Sequence, residues 1–221
     1  MTDEMKQQIL SRVDHTALKA FTTWADIEKL CNEAIKYKTA SVCIPPCYIK
    51  RIKEKFGTEL KICTVIGFPL GYNTTETKAF ETKNALENGA DEIDVVINIC
   101  DVKNGEFEKI ETELALLRGI VKDKILKIII ETCYLDHNEK IKLCQIVSKT
   151  GADFIKTSTG FGTAGAVAED IALFKKHIGE ETRIKASGGM KTAEDHLTFF
   201  NAGADRLGSS SAISAFYPSV S

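Results

Sequence analysis

Short apolar runs rich in β-branched residues alternate along the chain with longer amphipathic stretches. The runs have the length of strands, and they recur about every 20 to 35 residues with a helical pattern between them. They cover residues 12–16, 41–44, 61–66, 92–98, 127–131, 154–157, 183–186 and 206–208. This alternation predicts about eight β/α units and a parallel sheet.

Two of the intervening stretches show the helical pattern clearly. Apolar Phe80 and Leu86 follow Thr74, and an apolar series that starts at Ile141 follows Asp136. Thr and Asp are preferred at helix N-caps, and residues three or four apart share one face of a helix. We therefore predict helices that begin at these two positions and bury those apolar residues.

The tripeptide Gly-Ala-Asp occurs three times, beginning at Gly89, Gly151 and Gly203. Each copy lies between an amphipathic stretch and an apolar run. Glycine readily takes the left-handed conformation that ends a helix, and a strand can start directly after it. The repeat therefore predicts three equivalent joints between a helix and a strand.

The length of 221 residues suits one large α/β domain spanning residues 1–221. Eight β/α units in this length predict a compact (β/α)₈ TIM barrel. The alternative is a doubly wound open sheet, which usually has a glycine-rich dinucleotide loop after its first strand. No such loop follows residues 12–16, so the barrel is favoured.

Alignment of the three repeats sorts the residues after Asp onto two faces of the strands. Successive residues of a strand point to opposite sides, so the aliphatic row should face the outer helices and the other row the barrel interior. The aliphatic row is Ile93, Ile155 and Leu207, and the inward row is Asp94, Lys156 and Gly208. On the fourth, sixth and eighth strands, the inward residues should share one layer.

Other charged residues are predicted to lie inside the same barrel. They are Asp14 on the first strand, Lys127 and Glu131 on the fifth, and Lys185 on the seventh. Buried charges need partners or serve chemistry. Lys127 and Glu131 fit a charge-balancing ion-pair network, whereas lysines near the ends of barrel strands are typical of catalysis.

The two lysines and the aspartate fit an aldolase that works through a Schiff base. A nucleophilic lysine must lose its proton near neutral pH, although the ordinary pKa of lysine is about 10.4. Burial and a neighbouring cation both favour the neutral amine. Lys185 would supply that charge to Lys156, and Asp94 would transfer protons.

The loops after the last three strands carry candidate substrate-binding residues. Thr159 and Gly160 follow Lys156 in a segment rich in hydroxyls and glycines. Small residues close the seventh and eighth strands, where barrels often bind phosphate. These candidates for the phosphate end are Gly188, Gly189, Gly208, Ser210 and Ser211.

Several long motifs, in order over nearly the whole chain, resemble the deoxyribose-phosphate aldolase family. They include DHTALK from Asp14, TVIGFPLG from Thr64, DEIDVVIN from Asp91, ADFIKTSTGF from Ala152 and KASGG from Lys185. Met190-Lys191 and the short tail after Ile213 depart from the family pattern. The resemblance implies the reversible cleavage of 2-deoxy-D-ribose 5-phosphate to acetaldehyde and D-glyceraldehyde 3-phosphate in deoxynucleoside breakdown. It also implies no metal and no organic cofactor, with Lys156, Lys185 and Asp94 in the roles given above.

Composition limits the partners and the compartment. The net charge of −2 gives no global attraction to nucleic acid or to anionic membranes. Seven cysteines without metal-site spacing fit reduced thiols in the cytoplasm, and Cys43 fits a small buried residue. The four histidines lack the spacing of a metal triad. We expect a small sugar phosphate as the partner, with neither nucleic acid nor membrane, and self-association is left open.

Three competing functions remain open at this point. Another Schiff-base aldolase of small sugar phosphates would use the same lysines. A phosphosugar isomerase would need a carboxylate base and would leave Lys156 and Lys185 without a role. A phosphate-ligand binder on the same barrel would not need Lys156, Lys185 and Asp94 together.

Overall fold

The computed structural model describes residues 1–218, which form a closed barrel of eight parallel strands. Strand order around the barrel follows chain order, and β8 pairs with β1. The strands are β1 (Val13–Thr16), β2 (Ser41–Ile44), β3 (Ile62–Ile66), β4 (Glu92–Val96), β5 (Ile125–Ile129), β6 (Phe154–Lys156), β7 (Arg183–Ser187) and β8 (Arg206–Ser209). The predicted (β/α)₈ TIM barrel is therefore confirmed.

Ten α-helices surround the strands or lie at their ends within the described part of the chain. They are α1 (Asp3–Leu10), α2 (Trp24–Tyr37), α3 (Ile49–Phe56), α4 (Thr75–Glu87), α5 (Ile99–Lys103), α6 (Phe107–Val121), α7 (His137–Lys149), α8 (Ala168–His177), α9 (Ala193–Ala202) and α10 (Ala212–Phe216). Short 3₁₀ helices follow β2 and β5 at Pro46–Tyr48 and Thr132–Tyr134. Among residues 1–218, none of the helices has the length and apolar character needed to span a membrane. Residues 219–221, the end of the predicted domain and of its divergent tail, lie outside the described residues.

The three Gly-Ala-Asp joints are present, and their aspartates have a role that the sequence pattern did not indicate. All three glycines take positive φ, at 106° for Gly89, 71° for Gly151 and 97° for Gly203. The side chain of Asp153 accepts a hydrogen bond from the backbone of the neighbouring strand, at Leu126 N (2.8 Å). Asp91 and Asp205 repeat this contact on Ile62 and Ile184. Each joint therefore ends a helix and ties two strands together near their amino ends.

The buried face of α4 differs from the prediction. Thr74 is the N-cap as expected, but Phe80 is 70% exposed and Leu86 is half-buried. The face instead buries Lys78, whose ammonium binds Glu113 of α6 at 2.7 Å. The buried face of α4 therefore contains the paired Lys78, where the sequence pattern predicted Phe80.

The predicted division of the strands into two faces is present. Ile93, Ile155 and Leu207 are fully buried in the apolar layer between strands and helices. Asp94 and Lys156 are buried inside the barrel, bound to each other. This alternation places charged side chains in the barrel interior and aliphatic ones outside it.

Candidate active site

A cavity of about 640 Å³ opens at the carboxyl ends of the strands. Of the residues predicted to bind substrate or act in catalysis, seven line it: Lys156, Thr159, Gly160, Gly188, Gly189, Gly208 and Ser210. Other parts of its wall come from the end of β1 and the segment that follows it, including Thr16, Leu18 and Phe21. A separate groove of about 530 Å³ lies on the outer surface between α7 and α8, away from these residues. The chemistry predicted from the sequence therefore converges on the barrel mouth.

Lys156, Lys185 and Asp94 meet at one carboxylate oxygen. The Nζ atoms of Lys156 and Lys185 each lie 2.7 Å from Asp94 Oδ2. Lys156 and Lys185 are also register partners on the adjacent strands β6 and β7. Asp94 and Lys185 are fully buried, whereas Lys156 reaches the cavity wall. The arrangement places one amine at the cavity, with a second cation directly behind it.

A deeper set of ion pairs holds this trio. Lys185 also binds Asp14 Oδ2 (2.5 Å), and Lys127 binds Asp94 Oδ1 (2.9 Å). Lys127 reaches Glu92 at 2.5 Å, and Arg206 joins Asp14 at 2.6 Å. Lys127 thus lies in the ion-pair network that the sequence suggested for it. Glu92 and Arg206 were missed, although each lies two residues before an inward residue on its strand.

The network fixes the charge of its central groups. Burial alone would raise the pKa of Asp94, but the ammonium groups of Lys127, Lys156 and Lys185 hold that pKa well below its ordinary value. Burial would lower the pKa of Lys185, yet the Asp14 and Asp94 carboxylates raise it above the ordinary value. At neutral pH, Asp94 is therefore a carboxylate and Lys185 a cation.

Glu131 does not belong to this network, contrary to its predicted place on β5. The strand ends at Ile129, and Glu131 takes a left-handed backbone conformation (φ 53°) just beyond it. Its carboxylate accepts a hydrogen bond from Thr159 N at 3.1 Å instead. Burial raises the pKa of Glu131, opposed by the hydrogen bonds from Thr159. The predicted charge balance between Lys127 and Glu131 is thus wrong, because the chain turns before Glu131 can enter the barrel.

The predicted phosphate end consists of closely packed glycines. Gly160, Gly188 and Gly189 have φ values of 86°, 84° and 85°, which side-chain-bearing residues rarely adopt. A Cβ on Gly188 would lie 3.1 Å from Gly165 Cα, and one on Gly160 would contact Gly188. The loops after β6 and β7 therefore approach each other through their backbones, as an anion cradle requires.

Ser211 lies outside the cavity lining, unlike the other predicted phosphate residues. Its hydroxyl donates to Met190 O (2.8 Å), and its amide donates to Ser209 Oγ (3.1 Å). His196, which is buried, lies 2.8 Å from the same Ser209 oxygen. Ser211 thus joins the end of β8 to the loop after β7 through Met190, whereas Ser210 lines the cavity.

Two cysteines lie in the interior beside Asp94. Cys43 and Cys63 are register partners on β2 and β3, and Cys63 Sγ donates to Asp94 Oδ1 at 3.1 Å. With Asp94 they form a group whose possible metal-ligand atoms lie within 4.8 Å of one another. The Lys127 ammonium already lies 3.3 Å from Cys63 Sγ and 2.9 Å from Asp94, so a fixed cation is in place. The positive charge there disfavours a metal ion, and Cys43 packs as a small buried residue next to a second thiol.

A lysine at the mouth of a closed β/α barrel, with a buried second lysine behind it, is the arrangement of a barrel aldolase of the Schiff-base class. The family model described as DeoC/LacD family aldolase matches residues 8–210. The chain belongs to this family.

Relatives and a solved structure agree with this assignment. A deoxyribose-phosphate aldolase of Clostridium botulinum (strain Alaska E43 / Type E3) is 59% identical over 206 residues, 93% of each chain. One of Clostridioides difficile (strain 630) is 58% identical over 205 residues, 93% of this chain and 94% of the relative. The tetrameric deoxyribose phosphate aldolase of Aeropyrum pernix superimposes with a TM-score of 0.88 at 31% identity, over 98% of this chain and 92% of that one.

Proposed function

We propose that this protein is a deoxyribose-phosphate aldolase. It would cleave 2-deoxy-D-ribose 5-phosphate reversibly into acetaldehyde and D-glyceraldehyde 3-phosphate, in the breakdown of deoxynucleosides. The observation that carries the proposal is the pair of lysines that share Asp94 Oδ2 beneath the cavity. Relatives at 58% and 59% identity, which carry this name along nearly their whole length, support the substrate.

In this reaction the Lys156 amine attacks the aldehyde carbon of the open-chain sugar. A C–N bond forms, water leaves, and the resulting iminium attracts electrons. The bond between C2 and C3 then breaks, its electrons form an enamine, and the C3 hydroxyl loses its proton as it becomes the aldehyde of glyceraldehyde 3-phosphate. Protonation of the enamine at C2 and hydrolysis of the imine release acetaldehyde and restore Lys156.

Asp94 and Lys185 would support these steps in different ways. The Lys185 charge repels a positive charge on Lys156, and the Asp94 carboxylate holds both nitrogens in place. Because the pKa of Asp94 is held far below neutrality, the carboxylate accepts protons transiently and does not store one. Proton transfer therefore belongs to the Asp94–Lys185 pair, with or without a water molecule between the pair and the substrate.

Reductive trapping tests the mechanism directly. Incubation with acetaldehyde and borohydride should leave an ethyl group on Lys156, located by mass spectrometry of peptides. Lys156→Arg should abolish both the adduct and cleavage of the sugar phosphate, with an unchanged circular dichroism spectrum. An adduct on a different lysine, or cleavage that persists in the variant, would refute the role of Lys156.

We also propose that the chain self-associates and works in the cytoplasm. Phe80 on α4 and Leu116 on α6 are large apolar side chains that are 70% and 48% exposed, and the Aeropyrum pernix relative is described as tetrameric. The seven free thiols suit a reducing compartment. Light scattering should give a multiple of 24.3 kDa, and a monomer mass at micromolar concentration would contradict self-association.

A further inference from the structure

Glu131 lies at the active-site end of β5 in an unusual backbone conformation. Its φ of 53° is left-handed, a region that residues with a side chain adopt in only a few per cent of cases. Lys38 and Lys122 also have positive φ, but they are exposed at helix ends. Glu131 is 2% exposed and follows a barrel strand. Such strain at a strand end is typical of residues whose side chain must point in one direction.

The carboxylate of Glu131 binds Thr159 through three contacts. Thr159 N donates to Oε1 at 3.1 Å and to Oε2 at 3.3 Å. The Thr159 hydroxyl forms a short hydrogen bond to Oε2. Gly162 packs so closely on this group that a Cβ there would lie 3.1 Å from Glu131 Cδ. Glu131 therefore holds the loop that begins at the end of β6.

These contacts set the direction of the Thr159 hydroxyl. The Thr159 amide donates to both oxygens of Glu131, as to a carboxylate that accepts hydrogen bonds, and the hydroxyl proton of Thr159 points to this carboxylate as well. The oxygen of Thr159 is then left as an acceptor, and it receives one hydrogen bond from Phe161 N at 3.0 Å. Its remaining lone pair is available to a donor in the cavity, which Thr159 lines together with Lys156.

Thr159 also lies between Lys156 and the glycine-rich phosphate end in chain order, and it lines the same cavity. Lys156 is three residues before it, and Gly160, which follows it, packs against Gly188 of the predicted phosphate end. A sugar phosphate bound to Lys156 at one end and to these glycines at the other would place its chain hydroxyls beside Thr159. A hydroxyl is a donor, so it complements an acceptor-only oxygen.

We propose that Glu131 is a positioning residue, which turns the Thr159 hydroxyl into a hydrogen-bond acceptor for one hydroxyl of the phosphorylated part of the substrate. The inference rests on the proposed function, because it assumes a hydroxylated sugar phosphate on Lys156. It assigns Glu131 a role in substrate recognition that acts through Thr159.

Four variants test this inference: E131Q, T159V, the double variant, and T159S. Loss of a hydrogen bond that involves a charged group should lower kcat/KM for 2-deoxyribose 5-phosphate by about tenfold to a hundredfold in E131Q and in T159V. Because Glu131 acts through Thr159, the double variant should be no worse than T159V. T159S keeps the hydroxyl and should stay within about threefold of the wild-type protein. Trapping of acetaldehyde, which lacks a hydroxyl, should fall much less than cleavage.

The outcomes separate this inference from the proposed function. Wild-type protein that neither cleaves the sugar phosphate nor forms an adduct on Lys156 would refute the proposed function itself. An active wild-type protein with an equally active E131Q, or with losses in E131Q and T159V that multiply, would overturn the role of Glu131. If E131Q does not fold, equal losses in T159S and T159V would overturn it instead. E113Q, which alters a buried glutamate between α4 and α6, controls for the loss of a carboxylate away from the cavity.

Discussion

The Lys185→Met substitution tests the electrostatic core of the proposed mechanism. Two nitrogens that each lie 2.7 Å from one oxygen are about 4 Å apart at ordinary hydrogen-bond angles. Two unit charges at that distance interact by about 4 kcal/mol at an effective dielectric constant of about 20. Removal of Lys185 removes this repulsion and also leaves Asp14 and Asp94 with one cation fewer, so both effects favour the protonated form of Lys156.

The expected result is a displaced pH profile. Since about 1.4 kcal/mol corresponds to one pH unit, the acid limb of Schiff-base formation should move to higher pH by up to about three units. The measurement is the rate of acetaldehyde trapping on Lys156 by borohydride as a function of pH. Lys78→Met is the matched control, because it removes another fully buried, paired lysine outside the barrel and should not move the limb.

In the pH profile of acetaldehyde trapping, the position of the acid limb reports the charge on Lys156, and the height of the plateau reports the maximal rate. A lower plateau with an unmoved acid limb would mean that Lys185 transfers protons or supports the fold without tuning Lys156. That result would refute the electrostatic role, whereas a displaced limb in the Lys78→Met control would show that the assay reports stability. A displaced limb in Lys185→Met alone is the outcome that the geometry requires.

Three further predictions concern the network and the glycine-rich end. Lys127→Met should lower the free energy of unfolding by about 3–5 kcal/mol, because Asp94 and Glu92 lose a fully buried partner; a loss below about 1 kcal/mol in urea denaturation would contradict this. Gly165→Ala places a Cβ 2.4 Å from the carbonyl of Gly188 and should raise the KM for the sugar phosphate about tenfold or more, whereas Gly119→Ala, with open space around it, should not. The lowered pKa of Asp94 makes its ionisation stabilising above about pH 4, the ordinary range of an unfolded aspartate, and that contribution is lost as pH falls. Asp94→Asn should therefore flatten the acid dependence of stability measured by thermal unfolding, and an unchanged slope would show that Asp94 does not contribute.

The sequence predicted the barrel well because eight short apolar runs alternate regularly with amphipathic helical stretches along the chain. The inward orientation of Asp94 and Lys156 followed from the Gly-Ala-Asp repeat. The repeat fixes where each strand starts, and the period of two then fixes which side chains face the barrel interior. The same reasoning was available for Glu92 and Arg206, two residues earlier on β4 and β8. Both lie in the layer below the strand ends, and chemistry in a barrel is expected at the strand ends, so the sequence pattern did not single them out.

The errors have specific physical causes. Phe80 was assigned to the buried face of α4 from its hydrophobicity, but the helix buries Lys78 because Glu113 on α6 supplies a partner that is distant in sequence. Glu131 was placed inside the barrel because periodicity cannot show that a non-glycine residue will turn to positive φ. The role of Ser211 at the phosphate end stays a prediction, and its hydroxyl donates to Met190 O. The first error concerns a contact between segments far apart in the chain, and the second concerns a local turn of the backbone.

The ion-pair network offers a reason why Lys156, and not another lysine, should be the nucleophile. Its carboxylates are Asp14, Glu92 and Asp94, and its basic groups are Lys127, Lys156, Lys185 and Arg206. The basic groups outnumber the carboxylates by one, so the loss of a single proton makes the buried network neutral. Within the described part of the chain, Lys156 pairs with one carboxylate, whereas each of the other basic groups pairs with two or more. Deprotonation of Lys156 therefore sacrifices the fewest ion pairs, and it frees the amine that faces the cavity.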